Sequence, residues 1–186
     1  MNLINAFHEL AKINKVNLEL KASMDPYYVY SQKIILDKIV KDWDLKMMLN
    51  FASSSKKNQT LMEPIIKKKK EELESYVEFL NNLGRIYTIE VLDQEKTLSL
   101  NNNQLKTVPN FNLPMLQELY LNNNQLTSVP DFNLPKLQAL YLNNNQLTTV
   151  PDFNLLRLQI LYLSSNQLTN KEKEKIKKTY KNKVII

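Results

Sequence analysis

Residues 97–117 read TLSLNNNQLKTVPNFNLPMLQ, and the same text returns as ELYLNNNQLTSVPDFNLPKLQ at 118–138 and ALYLNNNQLTTVPDFNLLRLQ at 139–159. A fourth copy opens as ILYLSSNQLTN at 160–170, and the period is 21 residues throughout, with no insertion. Self-similarity at a fixed short period marks an architecture of stacked units, in which each unit buries its apolar face only against its neighbours. Within a copy, Leu119 and Leu121 alternate with Glu118, Tyr120 and Asn122. A period of two predicts a short strand with one buried face. Repetition then stacks parallel strands about 4.8 Å apart. Leu98, Leu119, Leu140 and Leu161 form one inner row, and Leu100, Leu121, Leu142 and Leu163 the next. Asn103, Asn124, Asn145 and Asn166 are expected to form an internal ladder whose amides satisfy backbone groups where the strand turns away. Val108, Val129 and Val150 each precede a proline, which favours extended backbone. Phe111, Phe132 and Phe153 are expected to stack as a spine along the opposite edge. So short a unit leaves little room for a helix there, and 3-10 or extended turns are expected instead.

Each unit contains L-x-x-L-x-L-x-x-N-x-L, as in Leu116, Leu119, Leu121, Asn124 and Leu126. That pattern resembles the leucine-rich repeat family. The resemblance implies a short solenoid with a parallel β-sheet on its concave face and, with the helical pattern upstream read as an N-terminal helical domain, the chain is expected to be α+β. The resemblance also implies a protein partner held on that face. The outward strand positions give three columns: Thr97, Glu118, Ala139 and Ile160; then Ser99, Tyr120, Tyr141 and Tyr162; then Asn101, Asn122, Asn143 and Ser164. Tyrosine offers a large contact area, a polar tip and few rotatable bonds. Glu118, Tyr120, Asn122, Tyr141, Asn143, Ile160 and Tyr162 are therefore the candidate partner-binding residues. The alternative is a scaffold role, since cross-strand aromatic pairs also stabilise sheets.

The expected division places a helical region at 1–84 and the repeat region at 85–186, with repeats over 97–169 and a C-terminal cap over 170–186. Asn170 is the expected N-cap of a helix in KEKEKIKKTYKN, and Val184, 21 residues after Leu163, is expected to open a fifth strand in KVII. Upstream, Leu3, Ile4, Phe7, Leu10 and Ala11 share a helix face, and Ser31 can cap a helix carrying Ile34, Ile35, Ile39 and Val40. Asp44 can cap the next, carrying Leu45, Met48, Leu49 and Ala52. Pro64 suits the first turn of a longer helix lined by Ile66, Leu73, Val77 and Leu80, with Gly84 as its stop. Lys67 to Lys70, beside Glu71, Glu72 and Glu74, reads as a solvated face, and RIYTIEVL at 85–92 reads as a strand.

IILDKIVKDWDLKMMLNFASSSKKNQTLMEP, at 34–64, is similar to the F-box, with Asp44-Leu45 as its D-L step, Met48-Leu49 as its apolar pair and Lys56-Lys57 as its basic close. The resemblance implies a Skp-type adaptor of cullin–RING ubiquitin ligases as a second partner. Ile34, Ile35, Ile39, Leu45, Met48, Leu49 and Ala52 would form the adaptor-binding set. It implies a substrate receptor that brings a target to the ligase by proximity. The alternative is a repeat adaptor with a generic three-helix cap and no ligase link.

Composition excludes most chemistry. There is one Gly, one His and no Cys, so a disulfide framework, a thiolate metal site, a cysteine nucleophile and a glycine-rich phosphate loop are all ruled out. His8, Glu9, Asp37 and Asp42 show no recognised catalytic spacing, and Asp131 and Asp152 each follow a turn proline, where Asp commonly bonds its own backbone. No enzyme activity and no cofactor are expected. The net charge of +6 divides into +2 over 1–90, −1 over 91–169 and +5 over 170–186. That basic tail holds one aromatic residue, Tyr180, and no arginine, which suits a solvated cap rather than a nucleic-acid or membrane surface. The opening MNLINAFHELAKINK lacks a cationic n-region and no apolar run is long enough to cross a bilayer. Residence in a reducing cytosol is the expectation, and the cytosol of a host cell if the chain is a secreted bacterial effector.

Overall fold

The computed structural model describes residues 44–54 and 56–186, apart from the side chains of 57 and 61. Contacts divide the chain into Met1–Trp43 and Asp44–Ile186. Gly84, where the sequence reading ended the helical region, therefore lies inside the second unit. The expected helices over 3–11 and 34–40, with Ile34, Ile35 and Ile39, lie outside the described residues.

The repeats form the sheet that their alternation predicts. β1 (Thr97–Ser99), β2 (Glu118–Tyr120), β3 (Ala139–Tyr141) and β4 (Ile160–Tyr162) are parallel and adjacent in chain order. Their register follows the repeat, with Leu98 on Leu119, Leu119 on Leu140 and Leu140 on Leu161. All eight leucines of the two inner rows have no exposed surface. The segments that return across the convex side contain no helix and run extended, broken by tight turns such as Leu113–Leu116.

Asparagine turns the strands. Asn145 Nδ2 donates to the carbonyls of Leu121 (2.9 Å) and Leu142 (3.0 Å), while its Oδ1 accepts from Leu126 N (3.0 Å). Asn124 and Asn166 repeat the pattern. Asn103 stands where no repeat precedes it, and its amide donates only to Asn101 O (3.0 Å). One residue before the ladder, Asn102, Asn123, Asn144 and Ser165 have φ of 60°, 56°, 56° and 56°. Asparagine adopts this left-handed conformation more readily than most residues. Conformation and amide chemistry together account for the repeated asparagine triplet.

Both ends of the stack are capped. Phe132 and Phe153 stack at 6.1 Å, and Phe111 meets Tyr76 and Phe79 edge-on at 5.3 and 6.1 Å. Those two rings belong to α2 (Lys56–Asn82), whose Leu73, Tyr76 and Leu80 enter the same core as the repeat leucines. At the other end Tyr180, on α4 (Asn170–Tyr180), packs on Phe153, and its hydroxyl accepts from Phe153 N (2.9 Å). Before α2 comes α1 (Leu45–Ser53), where Asp44 Oδ1 accepts from Met47 N (2.7 Å) as the expected cap. The turn after α2 is the expected glycine stop. Gly84 has φ 73°, Gly84 N bonds to Asn81 O and Arg85 N bonds to Leu80 O.

Five local expectations give way. α2 begins at Lys56, so Pro64 lies inside it rather than in its first turn. Packing on α1, with Met62 fully buried, offsets the missing backbone bond. Residues 89–93 form a short helix, α3 (Ile89–Asp93), instead of continuing a strand, because the Thr88 side chain caps it and a single turn suffices to bury Leu92. Thr169, not Asn170, caps α4, with Thr169 Oγ1 accepting from Glu172 N (3.2 Å). The fifth strand, β5 (Val184–Ile185), pairs Val184 with Leu161, two residues later than the repeat period sets, because α4 and the 3-10 turn Lys181–Lys183 use more chain than a repeat turn. Lastly, Lys69 is 5% exposed and not part of a solvated face.

Lys69 belongs to a polar joint between the helices and the first repeat. Its Nζ donates to Asn112 O (2.6 Å) and lies 4.0 Å from Asp93 Oδ1. Asp93, 2% exposed, accepts from Leu45 N through Oδ2 (2.6 Å), and its Oδ1 has no hydrogen bond. Burial pushes the Lys69 ammonium below its ordinary range and the Asp93 carboxyl above its own, and their mutual attraction opposes both shifts.

Candidate functional site

The concave face is set by the pleat. With Leu119 and Leu140 turned into the core, Tyr120 and Tyr141 must face outward on the same side. Their rings lie parallel at 4.4 Å, with 4° between planes, and Tyr141 stacks on Tyr162 at 5.9 Å and 21°. The register extends the column beyond the expected residues, because Ile185 of β5 is paired with Tyr162 and 45% exposed. The repeat period alone would set Ile185 outward beside Ser164, but the sequence columns were carried only as far as the fourth copy.

Beside the rings, Ser99, Asn101, Tyr120, Asn122, Tyr141, Asn143 and Tyr162 line a shallow recess of about 600 Å³. Asn122 and Asn143 are half-buried, and their side-chain amides make no hydrogen bond among the described residues. Each offers a donor and an acceptor to whatever occupies the recess. In the first column Ile160 is 39% exposed, while Ala139 is covered, its methyl too short to reach past its neighbours. Glu118 Oε2 accepts from Tyr120 Oη (2.9 Å), and that bond above all pushes the Tyr120 hydroxyl up to about 12. All seven candidate partner-binding residues thus lie on one face.

The candidate adaptor set is divided. Leu45, Met48 and Ala52 are buried, whereas Leu49 is 43% exposed on α1. Among the described residues no group of His, Cys, Asp or Glu could hold a metal ion, and no helix is long and apolar enough to cross a membrane. Asp131 and Asp152 are both exposed, and Asp152 pairs with Lys175 at 3.0 Å.

The repeat pattern, sheet and asparagine ladder define a leucine-rich repeat solenoid over 96–173. A family model for Leucine Rich repeats (2 copies) matches residues 96–134, 114–155 and 135–173. A solved leucine-rich repeat protein of Leptospira interrogans is similar at 37% identity and a TM-score of 0.41, over 49% of this chain and 31% of that one. This chain thus spans under a third of that protein's length. No curated protein matches the sequence.

Proposed function

We propose that the chain is a non-enzymatic protein-binding module whose partner lies across the strands on the tyrosine face. The observation that carries this reading is the outward column of three stacked tyrosines beside two amides that make no hydrogen bond among the described residues. A purely structural stack would not call for free hydrogen-bonding groups alongside it. Replacing Tyr120, Tyr141 and Tyr162 together by serine is the test. The ring pairs contribute on the order of 1 kcal/mol each to the sheet, so the solenoid is expected to survive. Proteins retained from eukaryotic cytosol by the wild-type chain should be absent from the variant's eluate. Retention of the same proteins would return the rings to a structural role.

A finer reading, in which the chain is an F-box-like substrate receptor or effector that links this partner to a ubiquitin ligase, draws on the resemblance at 34–64. Leu49 is its exposed apolar residue among those described. Its test is capture of purified Skp-type adaptor by the full chain, with Ile39→Asp and Leu49→Asp as controls. No capture at micromolar concentration ends that reading and leaves an adaptor without a ligase link.

A further inference from the structure

The concave face is polar at one end and apolar at the other. The three outward columns contain one charged side chain, Glu118, and no ion pair engages it among the described residues. Next to it the tyrosine column stops. Tyr141 covers one face of the Tyr120 ring, while the next place in register is Ser99, too short to cover the other. An aromatic face on which no ring stacks among the described residues, beside a carboxylate that no cation pairs there, is a seat for a cation, which gains from the ring quadrupole and from the charge. At the opposite end Ile160 and Ile185 are exposed apolar residues, and Tyr162, with which Ile185 is paired, is half-buried. Between the two ends stand the amides of Asn122 and Asn143, which have no hydrogen-bond partner among the described residues.

We propose that this face binds an extended peptide segment lying across the strands, with an Arg or Lys on Tyr120 and Glu118 and a large apolar side chain on Ile160, Tyr162 and Ile185. This rests on the protein-binding reading above and names the partner's chemistry. From the gap over Ser99 to β4 is three strand spacings, about 14 Å, which an extended chain covers in about four or five residues. The asparagine amides then meet main-chain N–H and C=O groups, which every sequence carries, so selectivity resides at the two ends. A neutral glycan fits less well. Sugars stack on open aromatic faces, and here the faces between the rings are occupied by the neighbouring rings, leaving mostly edges and hydroxyls to solvent.

Panning a phage-displayed random dodecapeptide library on the purified full chain tests this. Enriched peptides are expected to carry Arg or Lys with a large apolar residue about four or five positions away. For the leading synthetic peptide, Glu118→Gln and Ile160→Ser should each raise Kd about tenfold. Panning on Glu118→Lys should abolish the basic preference. Enriched peptides with no basic excess, or the same peptides enriched on Glu118→Lys, overturn the proposal. If those peptides still lose binding with Tyr141→Ser, the concave face remains the binding surface and only the partner chemistry is wrong. If Tyr141→Ser changes nothing, the protein-binding reading of this face fails as well. Enrichment of no peptide, with binding to an array of neutral oligosaccharides, also overturns the proposal.

Discussion

Asn145→Ala should lower stability by about 3–5 kcal/mol, whereas Asn103→Ala should cost about 1 kcal/mol. The side chains are the same and the repeat position is the same. Asn145 serves Leu121 O, Leu142 O and Leu126 N, all sealed between neighbouring copies. Removing its amide strands Leu126 N, at about 1–3 kcal/mol, and takes one of two bonds from Leu121 O and from Leu142 O, which keep Asn124 and Asn166, at about 1 kcal/mol each. Asn103 has no copy before it and donates to a single carbonyl in its own turn. Urea unfolding followed by far-ultraviolet circular dichroism measures both, with the midpoint reporting stability and an unchanged slope confirming that the transition is the same. Equal costs at the two positions would contradict the ladder.

Lys69→Met should destabilise the chain by about 3–5 kcal/mol at neutral pH, because it leaves the Asp93 carboxylate buried without its cation. Adding Asp93→Asn should recover part of the loss, since no charge then needs a partner. The pH dependence carries a sign that distinguishes this from lost packing. Burial already holds the Asp93 carboxyl above its ordinary range, and without Lys69 opposing that shift it rises further. Between the ordinary carboxylate value and the raised one, the folded state binds more protons than the unfolded state. Stability therefore rises as pH falls through that window. Other charges facing the pair are Glu72 and Asp44, both acidic, which support rather than reverse this direction. Unfolding curves for Lys69→Met at pH 7 and pH 5 should thus show the variant more stable in acid. A loss of stability on acidification would mean that Asp93 is not held as a buried carboxylate.

The parts of this fold that repeat were legible from the sequence, because repetition removes ambiguity. One strand is only three residues long, too short to identify alone, but three aligned copies fix which side Leu119 and Tyr120 face. The stacking of Phe132 on Phe153 and the ladder from Asn124 to Asn166 followed from the same alignment, whereas Phe111 meets Tyr76 and Phe79 instead and the Asn103 side chain makes no ladder bond. What was missed lies where the period stops. Lys69 sits in a run of four lysines, and nothing local separates it from exposed Lys68 and Lys70. Its burial depends on Asn112 and Asp93, far away in sequence. Residues 85–92 carry β-branched and aromatic side chains that suggest a strand, but Thr88 caps a helical turn there. Ile185 faces outward in either register, and the two-residue shift that the length of α4 sets moves it from the Ser164 column to that of Tyr162. Of the face itself, the columns were visible from spacing. The tight stacking of Tyr141 on one side of Tyr120, and the lack of hydrogen bonds at the Asn122 and Asn143 amides among the described residues, needed coordinates.

Of the six tyrosines among the described residues, three form the concave column and three, Tyr76, Tyr87 and Tyr180, lie elsewhere. Labelling every tyrosine ring with carbon-13 and recording two-dimensional NMR spectra with and without the panned peptide separates the two groups. Assignments come from single Tyr→Phe variants. The ring signals of Tyr120, Tyr141 and Tyr162 should shift together on binding, while those of Tyr76, Tyr87 and Tyr180 stay in place. Movement confined to Tyr76, Tyr87 or Tyr180, with the column unchanged, would place the partner elsewhere on the molecule and contradict the account.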